Sequence, residues 1–398
     1  MKKRTPQLTY CMMQCLNVGL LTIINFSHAY MLRQFTWLSN TAMSMVMAAV
    51  NLLALTLQAS LAAISAKKNL PILRILAGLC MGIAVASGAL LFSTGAFGIT
   101  VGAFMLLAIC IQAMPAFVNG VGMEKIQRGY AINYGVARGL GSATYSVVML
   151  LLGNTLAGGQ SWTLPLVGVV LAAVFLGVAI LFTRSTGGMS QGPAPRKTGA
   201  KDKGFFKKFP WMLPFLGGCV CLFLSHNLLT NYMYQIELSK GGGEAEQGIL
   251  ISLTGILELP AMFGFTWLAK KWPGEKWLRL CPVFFAIRAL GMLAAPSFGF
   301  DVAAQFAHML GFGIYVVAST YFVAQAVGPE HVVQGQSVLA AASPLSSVLA
   351  MLLGGPVLDH FGARAIMMLS AGFAAMGFIL FQIFVRPRSA AAEPVGAC

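Results

Sequence analysis

The 398-residue sequence is too apolar for a soluble protein, because 58% of its residues are hydrophobic and only 9% are charged, against about 25% in soluble domains. A net charge of +15 is typical of nucleic-acid-binding proteins, but here the basic residues lie between long apolar segments, where they orient a membrane protein. The composition therefore excludes nucleic acid as a partner and predicts that the lipid bilayer covers most of the surface. The eight cysteines have no zinc-site spacing.

Twelve apolar segments are long enough to cross a bilayer as helices. In chain order we predict them at residues 8–30, 42–66, 71–92, 97–121, 131–156, 163–183, 210–238, 247–269, 277–296, 301–327, 333–357 and 364–385. The sequence thus predicts an all-α membrane protein, which we describe below by these spans, numbered 1 to 12.

The Lys and Arg residues lie mostly on one side of this arrangement. With the N-terminus inside, 21 of the 26 fall in inside segments, three in outside segments and two within spans. Because cytoplasmic loops carry an excess of Lys and Arg, we expect both termini to lie in the cytoplasm. We expect the membrane to be the plasma (cytoplasmic) membrane of the cell.

A Gly-, Pro- and Lys-rich segment at 185–209 divides the spans into six and six. We predict a helical bundle at 1–184, a flexible cytoplasmic linker at 185–209 and a second bundle at 210–398. The bundles share short patterns, such as SVVMLLLG at 146–153 and SVLAMLLGG at 347–355. Transporters built from two repeats bind their substrate near the midplane between the repeats.

Three charged residues lie deep within predicted spans. Glu258 precedes Lys270 by twelve residues and Arg288 follows Lys276 by twelve, which places each about 18 Å from the cytoplasmic end. Arg138 follows Arg128 by ten residues, or about 15 Å. Charges at this depth are costly in lipid, so we expect all three to face an interior cavity and Arg138 to be buried without a partner.

Glu258 has two interpretations. It forms a structural ion pair with Arg288, or it is a protonatable group on a transport path. Burial favours the protonated form of a carboxyl group and a nearby Arg favours the ionised form, so movement of Arg288 would switch the proton affinity of Glu258.

Other polar residues within the spans are candidates for lining the cavity. His308 is a further candidate for proton coupling, although a lone helical His is also common as a core residue. The candidates for substrate binding are Asn25, His28, Asn119, His226 and Asn227. The sequence has no P-loop, H-E-x-x-H or G-x-S-x-G motif, so we expect neither an enzyme nor a bound metal or cofactor.

The segments LELPAMF at 257–263, FAIRALG at 285–291 and YGVARGLGSATYS at 134–146 resemble the major facilitator superfamily. The nearest resemblance is to the branch of lactose permease-like and phenylpropionate permease-like proton symporters, and it extends over the whole chain. This resemblance implies twelve helices in two six-helix bundles and transport by alternating access.

The same resemblance assigns roles to individual residues. Glu258 resembles the coupling glutamate, and Arg288 and His308 its arginine and histidine partners. Arg138 resembles the arginine that contacts sugar, and Tyr145 the aromatic residue that stacks on the sugar. Three positions depart from the lactose permease pattern, and one of them is Ala66, which stands where an Asp is expected in the loop after span 2.

Gly311 replaces a second acid that is needed for proton release, and Gly120 replaces a sugar-binding acid. A lactose-like substrate is therefore in doubt, while the symport scaffold is not.

We therefore predict a monomeric secondary transporter that imports a small polar solute, such as a sugar or nucleoside, with a proton as coupling ion. The alternatives are uptake of a small organic anion such as an aromatic acid, a passive facilitator or channel, and a membrane receptor or scaffold on the same fold. A facilitator would need no titratable residue at the midplane.

Overall fold

The computed structural model describes residues 5–68, 70–92, 95–187, 204–328 and 331–385. Ten helices in these ranges are long and apolar enough to cross a membrane. One of them, Gln334–Phe384, contains two spans, because the backbone of Gly362 is non-helical with φ 76°. Helix Glu244–Lys271 adds another span, so the described chain has the twelve predicted spans and the all-α membrane fold is confirmed.

The observed helices follow the predicted order. The first half has span 1 as Thr5–Asn25 and Ser27–Gln34, then spans 2 to 6 as Asn40–Lys68, Ile72–Phe92, Phe97–Gln127, Tyr134–Ala157 and Thr163–Ser185. A short helix, Phe205–Lys208, precedes the second half. Span 7 consists of Met212–Asn231 and Met233–Leu238, span 8 is Glu244–Lys271 and span 9 is Gly274–Ala294. Span 10 consists of Phe298–His308, the π-helix Met309–Gly313 and Ile314–Val327. Span 11 consists of Val332–Ala340 and the part of Ala342–Phe384 before Gly362, and span 12 is the part after it.

Span 5 begins three residues later than the sequence analysis placed it. The Asn133 side chain accepts a hydrogen bond from the backbone N–H of Val136 at 3.0 Å. Asn is a preferred N-cap residue because its side-chain oxygen satisfies one of the free N–H groups of the first turn. The cap therefore fixes the start of the helix at Tyr134.

Two faces of the molecule are distinguished by the connection between the halves. We call the face where span 6 ends and span 7 begins the linker side, and the opposite face the far side. Residues 188–203 of the predicted linker lie outside the described residues, so the division at 185–209 stays a prediction.

The two halves meet at the far side through spans 5 and 8 and through spans 2 and 11. A Cβ atom added to Gly153 of span 5 would lie 2.7 Å from the carbonyl oxygen of Glu244 and 3.0 Å from the Cα of Gly248. A Cβ on Gly355 of span 11 would lie 2.7 Å from the Cβ of Ser44 of span 2. Glycine is therefore required for this close approach of the two halves.

Polar contacts also join the two halves at the far side. The Asp359 carboxylate at the end of span 11 accepts hydrogen bonds from the backbone N–H groups of Asn40 and Thr41 at 3.1 and 2.7 Å, and so caps span 2 from the other half. Arg33 donates to Glu244 at the start of span 8 at 3.0 Å. The far side is thus closed by backbone packing and by polar contacts.

Candidate functional site

A cluster of ionisable side chains lies in the middle of the second half. Glu258 of span 8 accepts a hydrogen bond from Nε2 of His308 of span 10 at 3.1 Å between Oε1 and Nε2. Nη1 of Arg288, from span 9, lies 3.4 Å from Nδ1 of His308. Arg288 and His308 are each 2% exposed, whereas the Glu258 side chain is 21% exposed. The carboxyl group is therefore the member of the cluster that reaches open space.

These contacts define the tautomer of His308. Arg only donates hydrogen bonds, so Nδ1 of His308 is the acceptor that faces Arg288. Nε2 then carries the ring proton and donates a hydrogen bond to the Glu258 carboxylate. A neutral imidazole thus joins a fixed cation to an acid that can gain or lose a proton.

His226 of span 7 belongs to the same cluster. Its Nδ1 lies 3.3 Å from Nη1 of Arg288, and its ring stacks on Phe312 with centroids 4.2 Å apart. The His308 ring stacks on the same phenylalanine at 5.1 Å. His226 is a substrate-binding candidate by its sequence position, but its contacts are with Arg288 and His308, the candidates for proton coupling.

A π-turn in span 10 allows these groups to approach. Met309–Gly313 forms a π-helix directly after His308, a feature that is frequent at functional sites. A Cβ on Gly313 would lie 2.8 Å from the Cβ of Ala261 and 3.5 Å from the Cα of Glu258. A Cβ on Gly311 would lie 3.2 Å from Phe285. The position where lactose permeases carry a second acid therefore has little room for any side chain.

The structural interpretation of Glu258 as a direct ion-pair partner of Arg288 is wrong. Within the described residues, the ion-pair partner of Glu258 is His308, and no Glu258–Arg288 pair lies within 4.0 Å. Arg288 instead donates through Nε to Gln305 Oε1 at 2.8 Å. The imidazole of His308 separates the two charges.

Arg138 differs from its prediction in depth and in burial. Span 5 starts at Tyr134, so Arg138 lies only four residues, or about 6 Å, into the helix. The predicted depth of about 15 Å requires residues 128–133 to be helical, which they are not. The side chain is exposed and, among the described residues, has no hydrogen bond or ion pair. It is close enough to Glu258 to interact electrostatically, so it faces the space between the halves.

The remaining candidates fall into separate groups. Tyr145 interacts with the Asn25 side chain and with Glu258, so these residues lie near the cluster. Asn119 accepts a hydrogen bond from Gln14 at 2.8 Å within the first half. His28 is buried, and its ring packs 5.4 Å from that of Tyr232 at the far-side contact. His28 is therefore a contact residue between the halves and does not line a described cavity.

A cavity of about 250 Å³ lies between the halves, and we call it the vestibule. Neutral polar side chains from both halves line it, namely Asn51, Gln58, Gln112, Asn227, Ser343 and Ser347. Of these only Asn227 was a candidate from the sequence. The others are isolated amides and hydroxyls within apolar spans, and a search for uncharged hydrogen-bonding residues in the spans would have found them.

A second cavity of about 310 Å³ adjoins the vestibule on the linker side. Leu55 and Gln58 line both cavities, and the second reaches Ile72 at the linker-side start of span 3. Gly120 also lines it, with no atom within 4 Å of an added Cβ. The missing acid at this position therefore leaves open space. Within the described ranges, no group of His, Cys, Asp and Glu residues could hold a metal ion.

Comparisons with known proteins agree with this architecture. Residues 241–397 match the sequence profile of the Major Facilitator Superfamily. No curated protein sequence matches the chain significantly. The profile match covers the part of the chain that contains Glu258, Arg288 and His308.

Solved transporters share the fold over nearly the whole chain. The nucleoside transporter NupG aligns with a TM-score of 0.76 at 12% identity, covering 95% of this chain and 98% of that one. A POT family transporter in complex with a thioalcohol-conjugated peptide aligns with 0.72 at 9% identity, covering 96% of both chains. A bacterial homologue of the human lysosomal transporter Spinster, in an inward-facing and unoccupied conformation, aligns with 0.67 at 16% identity, covering 98% of this chain and 99% of that one. At these identities the likeness establishes the fold alone.

Proposed function

We propose that the chain is a transporter of the major facilitator superfamily, and that it carries a small polar solute together with a proton by opening its two sides in turn. The observation that carries this proposal is the Glu258–His308 hydrogen bond of 3.1 Å. A carboxyl group that is bonded to an imidazole and also reaches open space has access to protons and a partner that responds to its charge.

The proton chemistry follows from the contacts of Glu258. When ionised, the carboxylate accepts the Nε2–H of His308 and feels the positive charges of Arg138 and Arg288. When protonated, it is neutral and loses these attractions. Arg138 comes from the other half, so the proton on Glu258 changes an attraction between the halves. That dependence would couple the proton to alternating access.

The lining of the vestibule supports an uncharged solute. Asn, Gln and Ser side chains donate and accept hydrogen bonds without requiring an opposite charge. Both halves contribute such groups, so a bound solute would bridge them. A sugar or a nucleoside, with several hydroxyls, fits this chemistry.

An organic anion is the second candidate, and Arg138 is the observation that favours it. Its guanidinium is exposed and unpaired among the described residues. A guanidinium binds a carboxylate through two parallel hydrogen bonds. A passive facilitator is the third candidate, and the Glu258 cluster argues against it because uncoupled transport needs no proton-binding group.

The charge distribution supports a sidedness for this cycle. The linker side carries the excess of Lys and Arg and is the cytoplasmic side in our proposal, with both termini inside and the chain in the cell membrane. In this proposal the protein acts as a monomer and carries the solute into the cell. A proton that moves down its gradient in the same direction drives this uptake.

Uptake into proteoliposomes tests the proposal. The purified protein is reconstituted, an acidic buffer is placed outside an alkaline lumen, and accumulation of a radiolabelled nucleoside, a disaccharide and an aromatic acid is measured. We expect accumulation above equilibrium for one of the two neutral solutes, and loss of accumulation when a protonophore removes the gradient.

Each alternative gives a different result in this assay. Accumulation of the aromatic acid alone would assign an anionic substrate. Equilibration that never exceeds the outside concentration, with or without protonophore, would identify a facilitator. Absence of any flux while the panel still raises the melting temperature would favour a receptor.

A further inference from the structure

One face of span 10 is polar from its far-side end to the cluster. Asp301, Gln305 and His308 are spaced by four and three residues, so they lie on one side of the helix. The first two are fully buried and His308 is 2% exposed. A buried polar face on a membrane-crossing helix is costly and usually marks a path for ions or protons.

The outer end of this face holds two carboxyl groups and one ammonium group. Nζ of Lys240 donates to Asp301 Oδ1 at 2.5 Å and to the carbonyl oxygen of Met292 at 2.7 Å. Glu237, which is 1% exposed, is close enough to Asp301 and Lys240 to interact with both. Glu246 is the third charged residue that acts on Glu237, after Asp301 and Lys240. The Lys240 ammonium group thus interacts with both Asp301 and Glu237, and these two carboxyl groups are placed to exchange a proton.

Unsatisfied polar atoms continue inward from this end. Glu237 Oε1, Asp301 Oδ2, Gln305 Nε2 and Arg288 Nη2 are buried and, within the described part of the chain, lack a hydrogen-bond partner. Buried polar atoms without protein partners are usually satisfied by ordered water. These atoms come from spans 7, 9 and 10, and they mark positions where waters would connect the outer acids with the cluster.

Arg288 interrupts this sequence of groups. It lies between Gln305, to which its Nε donates at 2.8 Å, and His308, whose Nδ1 faces its Nη1 at 3.4 Å. A fixed positive charge on a path excludes protons electrostatically. The lone pair of Nδ1, where a proton would arrive, is also directed at the guanidinium.

We propose that Asp301, Gln305 and His308 form a water-assisted proton path from the far side to Glu258, and that Arg288 is the barrier that closes it in this conformation. The path deepens the proton-coupled transport proposed above and rests on it. With Arg288 moved aside, His308 accepts a proton at Nδ1 and gives its Nε2 proton to Glu258. The imidazole ends neutral with its proton on Nδ1, and the carboxyl group becomes neutral.

The barrier has a clear role while the linker side is open. Glu258 then reaches the space between the halves, and a continuous path from the far side would let protons cross without solute. Arg288 prevents this uncoupled proton leak. The same residue would have to leave the path before Glu258 is loaded from the far side.

Proton flux without any solute tests the path. The protein is reconstituted with the pH dye pyranine inside the vesicles, and valinomycin sets an inside-negative potassium potential. Wild type is expected to match empty vesicles, whereas Arg288→Gln is expected to admit protons at least fivefold faster. Arg288→Lys keeps the positive charge and is expected to stay tight.

Second substitutions locate the path. Adding Gln305→Leu or Asp301→Asn to Arg288→Gln is expected to return the leak to the level of empty vesicles. Adding Gln336→Leu is the matched control, because the Gln336 side chain of span 11 donates to the Thr320 carbonyl on the linker-side part of span 10, away from the proposed path, and the leak is expected to remain. A leak that survives Gln305→Leu overturns the path, and a folded Arg288→Gln protein without a leak overturns the barrier.

A second measurement covers the case in which Arg288→Gln does not fold. Gln305→Leu alone is expected to slow proton-driven accumulation of the transported panel solute at least fivefold and to leave solute exchange at equal pH unchanged. Equal slowing of both overturns the path. The leak assay uses no solute, so its failure is distinct from failure of the proposed symport, which the accumulation assay and Glu258→Gln test.

Discussion

The two halves of the molecule have the same number of spans but unlike chemistry at the centre. The second half holds Glu258, His308, Arg288 and His226 in one hydrogen-bonded cluster. The first half offers Arg138, exposed and unpaired among the described residues, together with neutral amides. In the transport cycle proposed above, the second half would bind the proton and the first half would supply the positive charge that responds to it.

The largest expected effect isolates the second half. Glu258→Gln imitates the protonated acid permanently, so it should abolish accumulation against a gradient while solute exchange at equal pH continues. Both are measured in the proteoliposome assay. Glu275→Gln, an acid in the first turn of span 9 at the linker side, is the control that should still accumulate solute. Accumulation by Glu258→Gln would remove this residue from coupling.

The next effect isolates the first half. Arg138→Lys keeps the charge but loses the planar pair of donors, so we expect solute affinity to fall about tenfold, or about 1.4 kcal/mol, while coupling to the proton persists. Binding is measured by titration and coupling by accumulation at saturating solute. Arg128→Lys is the control, because Arg128 pairs with Glu124 at the linker side. Unchanged affinity would place the Arg138 side chain outside the binding site.

A smaller effect tests whether both halves of the molecule bind the solute. Gln58→Leu in the first half and Asn227→Leu in the second each remove a neutral hydrogen-bonding group from the vestibule. A hydrogen bond contributes roughly 0.5–1.5 kcal/mol, so we expect each change to weaken binding roughly three- to tenfold. Similar losses in a binding titration would mean that both halves hold the solute. A loss confined to one variant would assign the solute to that half.

The smallest effects concern the two related contacts at the far side. Asp359→Ala removes the cap of span 2, which contributes about 1 kcal/mol, so the far side should open about fivefold more often. Glu244→Ala removes a partly exposed ion pair and should do less. Opening is measured as the rate at which an impermeant maleimide labels Ser252→Cys, a position buried at the contact, in a background without native cysteines. Equal rates in wild type and Asp359→Ala would contradict the capping role.

Much of the fold could be predicted from the sequence because its signals are local. Apolar length defined the spans, and an isolated carboxylate in an apolar run drew attention to Glu258. The placement of the His308 ring between Glu258 and Arg288 could not be predicted. It depends on the π-helix Met309–Gly313 and on its two glycines, which let span 10 approach spans 8 and 9. The predicted depth of Arg138 was wrong because it was counted from Arg128 along a continuous helix, whereas the helix starts at Tyr134 after the Asn133 cap.

The vestibule illustrates a second limit of sequence reasoning. The amides that line it are uncharged, so each could equally have been a residue that satisfies a neighbouring backbone group. Their convergence from spans 2, 4, 7 and 11 is a property of tertiary packing. The family resemblance did not help here, because the position that it associates with sugar binding is Gly120, which lines the adjoining cavity.

The glycine contact between spans 5 and 8 also determines how fast the far side can open. The barrier at Gly153 and Gly248 consists of main-chain atoms, so no side-chain rotation can open it. Side chains change rotamer within picoseconds to nanoseconds, whereas whole bundles move within microseconds to milliseconds. Brief leaks from thermal side-chain motion are therefore absent at this point, and each opening requires the two bundles to separate as bodies.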